Sequence, residues 1–197
     1  MATGLILAGG ASSRMPGDKA FLRFGARTVI EIQLEQMEGL FEEVLVITNT
    51  ERVERLTEVL DGLVRVVKEP VRGKGPLGGI LSGLMVSSSE RNFVLACDIP
   101  YVKRDAIAYL LDRLEGYDVA VPRSPEGLEP LHAAYDRRCA AIIEAQLAEG
   151  NLKVTDFFSR VRVNYVDSEE LTAFDSSGML LTNVNSPEDM RRLSEQD

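Results

Sequence analysis

Short apolar runs alternate along the chain with segments in which apolar residues recur at helical spacing. The apolar runs predict strands at residues 4–8, 43–48, 64–68, 93–97, 118–122, 131–135 and 161–166. Amphipathic segments lie between most of these runs, and such alternation of strand and helix signals is typical of α/β proteins. We therefore predict a doubly wound, mostly parallel sheet flanked by helices.

Several helix boundaries can be placed from capping residues. Thr28 and Glu31 have the spacing of a capping box, which predicts the start of a helix. Pro76 suits the first turn of a later helix, and Ser186 is a predicted N-cap for the last helix. The nearly continuous apolar run at 93–97 is typical of a central parallel strand that is covered on both faces.

Composition and charge argue against several classes of protein. The 197 residues include 45% apolar and 27% charged residues, which suits one globular domain over residues 1–197. The net charge of −9 argues against a nucleic-acid-binding face, and no apolar run is long enough for a membrane span. The chain has no signal-peptide pattern, so we expect a cytoplasmic protein in which Cys97 and Cys139 stay reduced.

The most informative segment is the loop that follows the first predicted strand. Residues 7–19 read L-A-G-G-A-S-S-R-M-P-G-D-K, which is not the Walker A pattern. The backbone N–H groups of Gly9 and Gly10 are not shielded by side chains and can bind phosphate oxygens. Arg14 and Lys19 add positive charge at the far end of the loop. The segment is similar to the signature loop of nucleotidyltransferases, and Arg14 and Lys19 are therefore candidate catalytic residues.

Polar residues or glycine also follow the other predicted parallel strands. Ligands of open parallel sheets collect at the carboxyl ends of the strands, where this chain places Ala8–Gly9, Asn49, Glu69 and Asp98. A carboxylate at the end of a buried strand is costly unless it is paired or binds a cation. Asp98 is therefore a candidate catalytic ligand for Mg²⁺, which prefers one or two carboxylates together with phosphate oxygens and water. The alternative is that Asp98 is an N-cap or turn residue before the next helix.

Three further signals are less specific. Residues 73–78 match G-x-G-x-x-G, but a dinucleotide fingerprint normally occupies the first strand–helix unit. These small residues are better explained by close approach of a helix to a nucleotide base or to the sheet, and Lys74 is a candidate cation for a phosphate. His132, the only histidine, is either a packed residue or a contact for an acceptor substrate. Asn183 and Asn185 suit either a turn or a phosphate bound before the last helix.

Five motifs occur in order between Leu7 and Asp189. They read L-A-G-G-x-S-S-R-M-x-x-D-K, G-K-G-P-L-G-G-I, C-D-I-P, E-P-L-H-A-A-Y and N-V-N-S-P-E-D. In this combination the chain resembles the molybdenum cofactor guanylyltransferases over nearly its whole length. The resemblance implies transfer of GMP from GTP to the phosphate of molybdenum-loaded molybdopterin, with release of pyrophosphate. It also allows transient contact with proteins that carry molybdopterin or with molybdoenzymes.

The same resemblance implies roles for individual residues. It implies nucleotide contacts at Leu7, Ala8, Gly9 and Lys19, guanosine contacts at Asn49 and Glu69, a Mg²⁺ ligand at Asp98, and contacts with the pterin or the metal at Asn183 and Asn185. Relatives usually carry Asp where Glu69 stands, so the contact with the base is one methylene group longer in this chain.

The sequence is compatible with three alternative functions. Related nucleotidyltransferases use CTP or another phosphorylated acceptor with a similar opening loop. A non-catalytic module could instead hold the finished cofactor for delivery, although the presence of both Lys19 and Asp98 argues against it. A dinucleotide-dependent oxidoreductase is disfavoured by the late position of the G-x-G-x-x-G segment.

Overall fold

The computed structural model describes residues 1–9, 21, 23–24, 26–49, 52–60, 62–69, 73–175 and 179–182. Its strands are β1 (Ala2–Leu7), β2 (Arg23–Phe24), β3 (Arg27–Thr28), β4 (Glu43–Thr48), β5 (Arg65–Lys68), β6 (Arg91–Ala96), β7 (Val119–Ser124), β8 (Gly127–Leu128), β9 (His132–Asp136) and β10 (Val163–Asp167). Its helices are α1 (Val29–Met37), α2 (Val53–Leu60), α3 (Gly75–Val86), α4 (Arg104–Asp112), α5 (Cys139–Ala148), a 3-10 helix (Val154–Arg160) and α6 (Ser168–Leu171). The predicted last helix, from Ser186, lies outside the described residues.

The main sheet has the strand order β10-β7-β9-β6-β1-β4-β5, and β8 pairs with β7. β1 runs parallel to both β4 and β6, β5 runs parallel to β4, and β10 runs parallel to β7. These pairings confirm the predicted doubly wound, mostly parallel sheet. The short strands β2 and β3 form a separate antiparallel pair that the sequence pattern did not indicate.

Strand β9 departs from the predicted arrangement because it runs antiparallel to both β6 and β7. The prediction of a central parallel strand at 93–97 is therefore wrong on the β9 side and right on the β1 side. The cause is the short connection between β7 and β9, which spans residues 125–131. A parallel crossover needs a dozen or more residues, so a chain that returns this quickly pairs antiparallel.

Helices cover both faces of the sheet, as the doubly wound prediction requires. One hydrophobic cluster packs Ile6 of β1 with residues of α1, α2, α4 and α6. The second hydrophobic cluster packs Leu5, the residue before Ile6 in β1, with α3, α5 and the 3-10 helix. A Cβ added at Gly83 would lie 2.8 Å from Leu5 Cδ1, so glycine at this position lets α3 lie directly against β1.

Helix α1 fixes the chain segment that follows β6. The predicted capping box is present, with the Thr28 hydroxyl accepting from the Glu31 N–H and the Glu31 carboxylate accepting from the Thr28 N–H. The buried Gln33 then donates from Nε2 to the carbonyl oxygens of Ala96 and Ile99, at 2.8 Å each. These two bonds hold both ends of the turn in which Asp98 lies.

Two expectations drawn from composition can be compared with the structure. Cys97 and Cys139 are both buried and do not form a disulfide, as expected. Across the part of the chain that the structure describes, every helix is too short or too polar to cross a membrane.

An ion-pair cluster closes the sheet at its amino edge, opposite the predicted ligand edge. Asp118 and Asp136 are both buried, and the Arg138 guanidinium lies 3.4 Å from Asp118 Oδ1 and 2.7 Å from Asp136 Oδ2. Asp118 Oδ2 also accepts from the backbone N–H of Arg162 at 2.8 Å. Burial raises the pKa of Asp136, but hydrogen bonds from Arg138 outweigh burial and lower this pKa below the ordinary value of 3.8. The cluster therefore joins β7, β9 and the start of β10 through ion pairs and hydrogen bonds of the two buried carboxylates.

We predict that Asp136→Asn lowers the free energy of unfolding at pH 7 by about 1–3 kcal/mol, because a buried charge-assisted hydrogen bond is lost. The folded-state pKa lies below the unfolded value, so this stabilisation is present above the ordinary pKa of 3.8 and disappears as the pH falls through the folded value. Urea denaturation of wild type and variant at pH 7 and at lower pH measures this stabilisation as the difference in the free energy of unfolding. Asp112→Asn is the control, because 84% of the Asp112 side chain is exposed. Equal losses for the two variants would contradict the prediction.

Candidate functional site

The carboxyl ends of β6, β1, β4 and β5 lie side by side, because these neighbouring strands are all parallel. Gly9, Asn49, Glu69 and Asp98 follow these strands and therefore share one edge of the sheet, as predicted. A Cβ added at Gly9 would lie 3.8 Å from Glu69 Oε2 and 3.9 Å from the Asn49 backbone nitrogen. The structure thus brings three of the four residues into direct proximity.

Glu69 occupies a cradle made by glycines. Its backbone N–H donates to the Thr48 carbonyl at 2.8 Å, which continues the β4–β5 pairing and directs the side chain to the edge. A Cβ at Gly79 would lie 3.3 Å from Glu69 Oε1, and one at Gly78 would lie 3.6 Å from the same oxygen. The glycines at the start of α3 therefore leave room for the Glu69 carboxylate. Burial raises the pKa of Glu69 above its ordinary value.

Asn49 adds a second acceptor beside this cradle. Its side-chain Oδ1 is buried and has no hydrogen-bond partner within the described part of the chain. A buried carbonyl oxygen without a donor is costly, so such groups call for an explanation. Asn49 Oδ1 and the Glu69 carboxylate are thus two acceptors at the ends of the neighbouring strands β4 and β5.

The start of the glycine loop is held by the end of β4. The Ala8 N–H donates to the Ile47 carbonyl at 2.8 Å, and the Ala8 carbonyl accepts from Thr48 Oγ1 and from Arg52 Nη1, at 3.2 Å each. The Leu7 carbonyl accepts from the Cys97 N–H on the β6 side at 3.2 Å. Sequence reasoning missed Arg52, and its only signal is that it lies three residues beyond Asn49.

Asp98 lies in the turn after β6 and is partly exposed. Asp98 does not cap the next helix, because α4 begins at Arg104 with Lys103 as its N-cap. Its place in a turn is compatible with the predicted metal role, which stays a prediction. Within the described ranges, no group of three or more His, Cys, Asp or Glu side chains is arranged to hold a metal. A single strand-end carboxylate nevertheless fits Mg²⁺, which takes one or two carboxylates and completes its shell with phosphate oxygens and water.

Two of the predicted site residues, His132 and Lys74, contact other parts of the protein. His132 begins β9 at the same edge but is 0% exposed, and its ring packs edge-to-face on Phe93 at 5.3 Å. Both ring nitrogens lack a hydrogen-bond partner in the described structure, and burial lowers the His132 pKa to about 4. The structure therefore shows the packed alternative for His132. Lys74, the candidate phosphate cation, donates from Nζ to the Leu147 carbonyl of α5 at 3.4 Å.

The remaining predicted site residues cannot be placed. Gly10, Arg14 and Lys19 of the opening loop lie outside the described residues. The same holds for Asn183 and Asn185. Their predicted roles stay predictions.

A cavity of about 570 Å³ lies at the carboxyl ends of β7 and β10. Four acidic residues contribute to its walls, namely Glu126, Glu129, Glu169 and Asp175. Burial and the neighbouring Glu126 raise the pKa of Glu129 above its ordinary value. The described lining contains no Lys or Arg, so the cavity favours hydrogen-bond donors over anions.

Glycine backbone beside β1, an acceptor-lined cradle at β4 and β5, and a carboxylate after β6 thus lie together at the carboxyl edge of the sheet, where ligands of open α/β sheets collect. The family model described as a MobA-like NTP transferase domain matches residues 4–163. The chain therefore belongs to the MobA-like NTP transferases, which are nucleotidyltransferases.

Similar proteins cover nearly the whole chain. A probable molybdenum cofactor guanylyltransferase of Pelotomaculum thermopropionicum is 38% identical, over 96% of this chain and 90% of the relative. A molybdenum cofactor guanylyltransferase of Desulfosudis oleivorans is 32% identical, over 96% and 93%. The crystal structure of molybdopterin-guanine dinucleotide biosynthesis protein A from Archaeoglobus fulgidus superposes with a TM-score of 0.84 at 24% identity, covering 98% of this chain and 97% of that one. This last similarity confirms the fold.

We predict that Glu69→Gln raises the free energy of unfolding of the ligand-free protein at pH 7. Burial raises the folded-state pKa of Glu69, so ionisation opposes folding as the pH rises above the ordinary value of 4.5. The gain should shrink when the pH is lowered below that value, since the wild-type carboxyl is then neutral. Urea denaturation at pH 7 and pH 4 tests this, with the exposed Glu58→Gln as control. A variant less stable than wild type at pH 7 would refute it.

A second prediction concerns the buried histidine. The folded-state pKa of His132 is lowered from 6.5 to about 4, so the unfolded chain binds a proton in this range and the folded chain does not. Wild type should therefore lose stability as the pH falls from 6.5 to about 4, and His132→Leu should lose less. Denaturation at several pH values measures the difference. Because the chain has one histidine, proton NMR of the ring reports its pKa directly, and a value near 6.5 would contradict the prediction.

Proposed function

We propose that the protein transfers the GMP group of GTP to the phosphate of molybdenum-loaded molybdopterin and releases pyrophosphate. Family membership and the names of the two relatives support the reaction type and the substrates. The observation that carries the choice of nucleotide is the acceptor pair at the ends of β4 and β5. Asn49 Oδ1 is buried without a described partner, and Glu69 lies beside the glycines of α3.

The pairing edge of guanine suits these acceptors. Guanine presents two neighbouring N–H donors, at N1 and at the 2-amino group, whereas cytosine and adenine each present one donor beside an acceptor. An ionised carboxylate and an amide oxygen are acceptors only. A base that directs an acceptor at Glu69 or Asn49 leaves buried polar groups unpaired, and sites of this kind discriminate strongly.

The reaction needs no covalent enzyme intermediate. An oxygen of the acceptor phosphate attacks the α-phosphorus of GTP in line, a new P–O bond forms, and the bond to the leaving pyrophosphate breaks. The nucleophile is already an anion, so the protein contributes positioning and charge neutralisation. We assign this role to the Gly9 backbone N–H and to the predicted cations Arg14 and Lys19.

Asp98 is the residue that would hold Mg²⁺ at the end of β6. The ion, when bound, would neutralise phosphate charge and so favour displacement of pyrophosphate. The Gln33 bonds to Ala96 and Ile99 fix the turn that carries this carboxylate. The protein thus presents the carboxylate next to the Gly9 end of β1.

We place the heterocycle of the acceptor in the cavity beside β7 and β10. Adjacent strands lie about 4.8 Å apart, so a cavity at β7 and β10, the second and third strands from β6, is about 10–14 Å from the Asp98 turn. Its carboxylates, among them the half-buried Glu129, suit the N–H groups of a pterin and repel a phosphate. The acceptor would therefore bind with its ring in the cavity and its phosphate toward Asp98.

The proposal is tested by pyrophosphate release from the purified protein with molybdenum-loaded molybdopterin, Mg²⁺ and GTP, CTP or ATP in turn. We expect GTP to be the preferred donor. Asp98→Asn should lower kcat/KM about a thousandfold, because loss of a metal ligand removes several kcal/mol of transition-state stabilisation. The exposed Asp105→Asn on α4 is the matched control.

Two results would contradict the proposal. Preference for CTP would change the product and refute the interpretation of Glu69 and Asn49. Near-normal turnover by a folded Asp98→Asn variant would remove Asp98 from the reaction.

A further inference from the structure

We propose that Arg52 positions the nucleotide by fixing the peptide between Ala8 and Gly9, an inference that rests on the proposed function. The guanidinium of Arg52 donates from Nη1 to the Ala8 carbonyl at 3.2 Å. Arg52 directly precedes α2, and its backbone N–H donates to the Asn49 carbonyl at 3.2 Å. One residue thus contacts both the start of the glycine loop and the residue that contributes the buried acceptor.

The contact determines where the next N–H group points. The Ala8 N–H and the Ala8 carbonyl both bond toward β4, to Ile47 and to Thr48 and Arg52 respectively. No cis peptide bond occurs in the described structure, and the C=O and N–H of a trans peptide point in opposite directions. The Gly9 N–H is therefore directed away from β4, toward the side on which Cys97 bonds to the Leu7 carbonyl.

That side is where the reacting phosphate must lie. β6 is the neighbour of β1 opposite β4, and Asp98 comes one residue after Cys97. A Gly9 N–H that points there can donate to a phosphate oxygen close to the Asp98 carboxylate. If the hydrogen bonds to the Ala8 carbonyl were lost, the peptide between Ala8 and Gly9 could rotate, because Gly9 has wide conformational freedom. Arg52 and Thr48 prevent this rotation from the β4 side.

Arg52 is thus a positioning residue rather than a catalytic one. Thr48 contributes a neutral hydrogen bond to the same carbonyl, whereas Arg52 contributes a charge-assisted one, which is stronger. Because both donors act on a single oxygen, their effects on nucleotide binding should depend on each other. A residue that contacted the phosphates directly would act independently of Thr48.

The first test is kinetic. Arg52→Ala should raise the KM for GTP about tenfold to a hundredfold, the effect of one charged hydrogen bond, and leave the KM for the acceptor unchanged. Arg52→Lys should restore part of the loss, since an ammonium can still donate to the carbonyl. Arg65→Ala, an exposed arginine of β5 at the opposite end of the sheet, is the matched control and should behave as wild type. If Arg52→Ala does not fold, Arg52→Gln and Arg52→Lys replace it.

A double-mutant cycle with Thr48→Val separates positioning from direct contact. Coupled effects of Arg52→Ala and Thr48→Val on the KM for GTP support action through the Ala8 carbonyl. Additive effects would overturn the proposal, because they indicate that Arg52 acts on the nucleotide by itself. Unchanged KM values with lowered stability would also overturn it, since Arg52 would then be only a structural residue.

The second test needs no substrate. The amide resonance of Gly9 reports the hydrogen bond of the preceding carbonyl, so it should shift in the ligand-free Arg52→Ala and Thr48→Val variants and stay in place in Arg65→Ala. An unchanged Gly9 resonance in Arg52→Ala refutes the inference regardless of activity. If the resonance shifts but wild type binds no GTP, the proposed function fails, and the nucleotide-positioning role of Arg52 fails with it.

Discussion

The site depends on the parallel pairing of β1 with β4 on one side and β6 on the other. This pairing brings the glycine loop, Asn49 and the Asp98 turn to one edge, and β5 adds Glu69 from the next position. Because neighbouring strands lie about 4.8 Å apart, groups at successive strand ends are spaced like the parts of a nucleotide. In the proposed function, the order of base, phosphate, metal ligand and acceptor cavity along the edge follows from strand order. Glycine at positions 9 and 79 leaves space beside the Glu69 carboxylate at this edge.

The polar side chains described at the two edges of the sheet differ in their hydrogen-bond partners. At the amino edge, the carboxylates of Asp118 and Asp136 are fully bonded by arginine and backbone donors, which suits a structural role. At the carboxyl edge, Asn49 Oδ1 lacks a described partner, and burial alone raises the pKa of Glu69. Such unpaired groups cost stability in the absence of a ligand and recover it when a complementary ligand binds. The Glu69 carboxylate and Asn49 Oδ1, on neighbouring strand ends beside Gly9, are therefore the physical argument for a binding site there.

Local signals predicted the parts of the fold that local interactions determine. The capping box of Thr28 and Glu31 needs residues only three positions apart, and the seven apolar runs predicted seven of the ten strands to within two residues at each end. Strand direction was different: β9 is antiparallel because of its short connection from β7, which periodicity does not report. At the site, strand-end residues such as Glu69 could be predicted from their position after an apolar run. Arg52 could not, because its contact with Ala8 joins residues 44 positions apart.

We propose that the carboxyl edge has a nucleotide half at β1, β4 and β5 and an acceptor half at β7 and β10. The most direct measurement is a crystal structure of the protein with Mg²⁺ and a GTP analogue that cannot be cleaved at the α-phosphorus. We expect the guanine donors to lie at Glu69 and Asn49 and the α-phosphate to lie beside Gly9 and Asp98. A nucleotide bound instead in the cavity lined by Glu126 and its neighbours would contradict it.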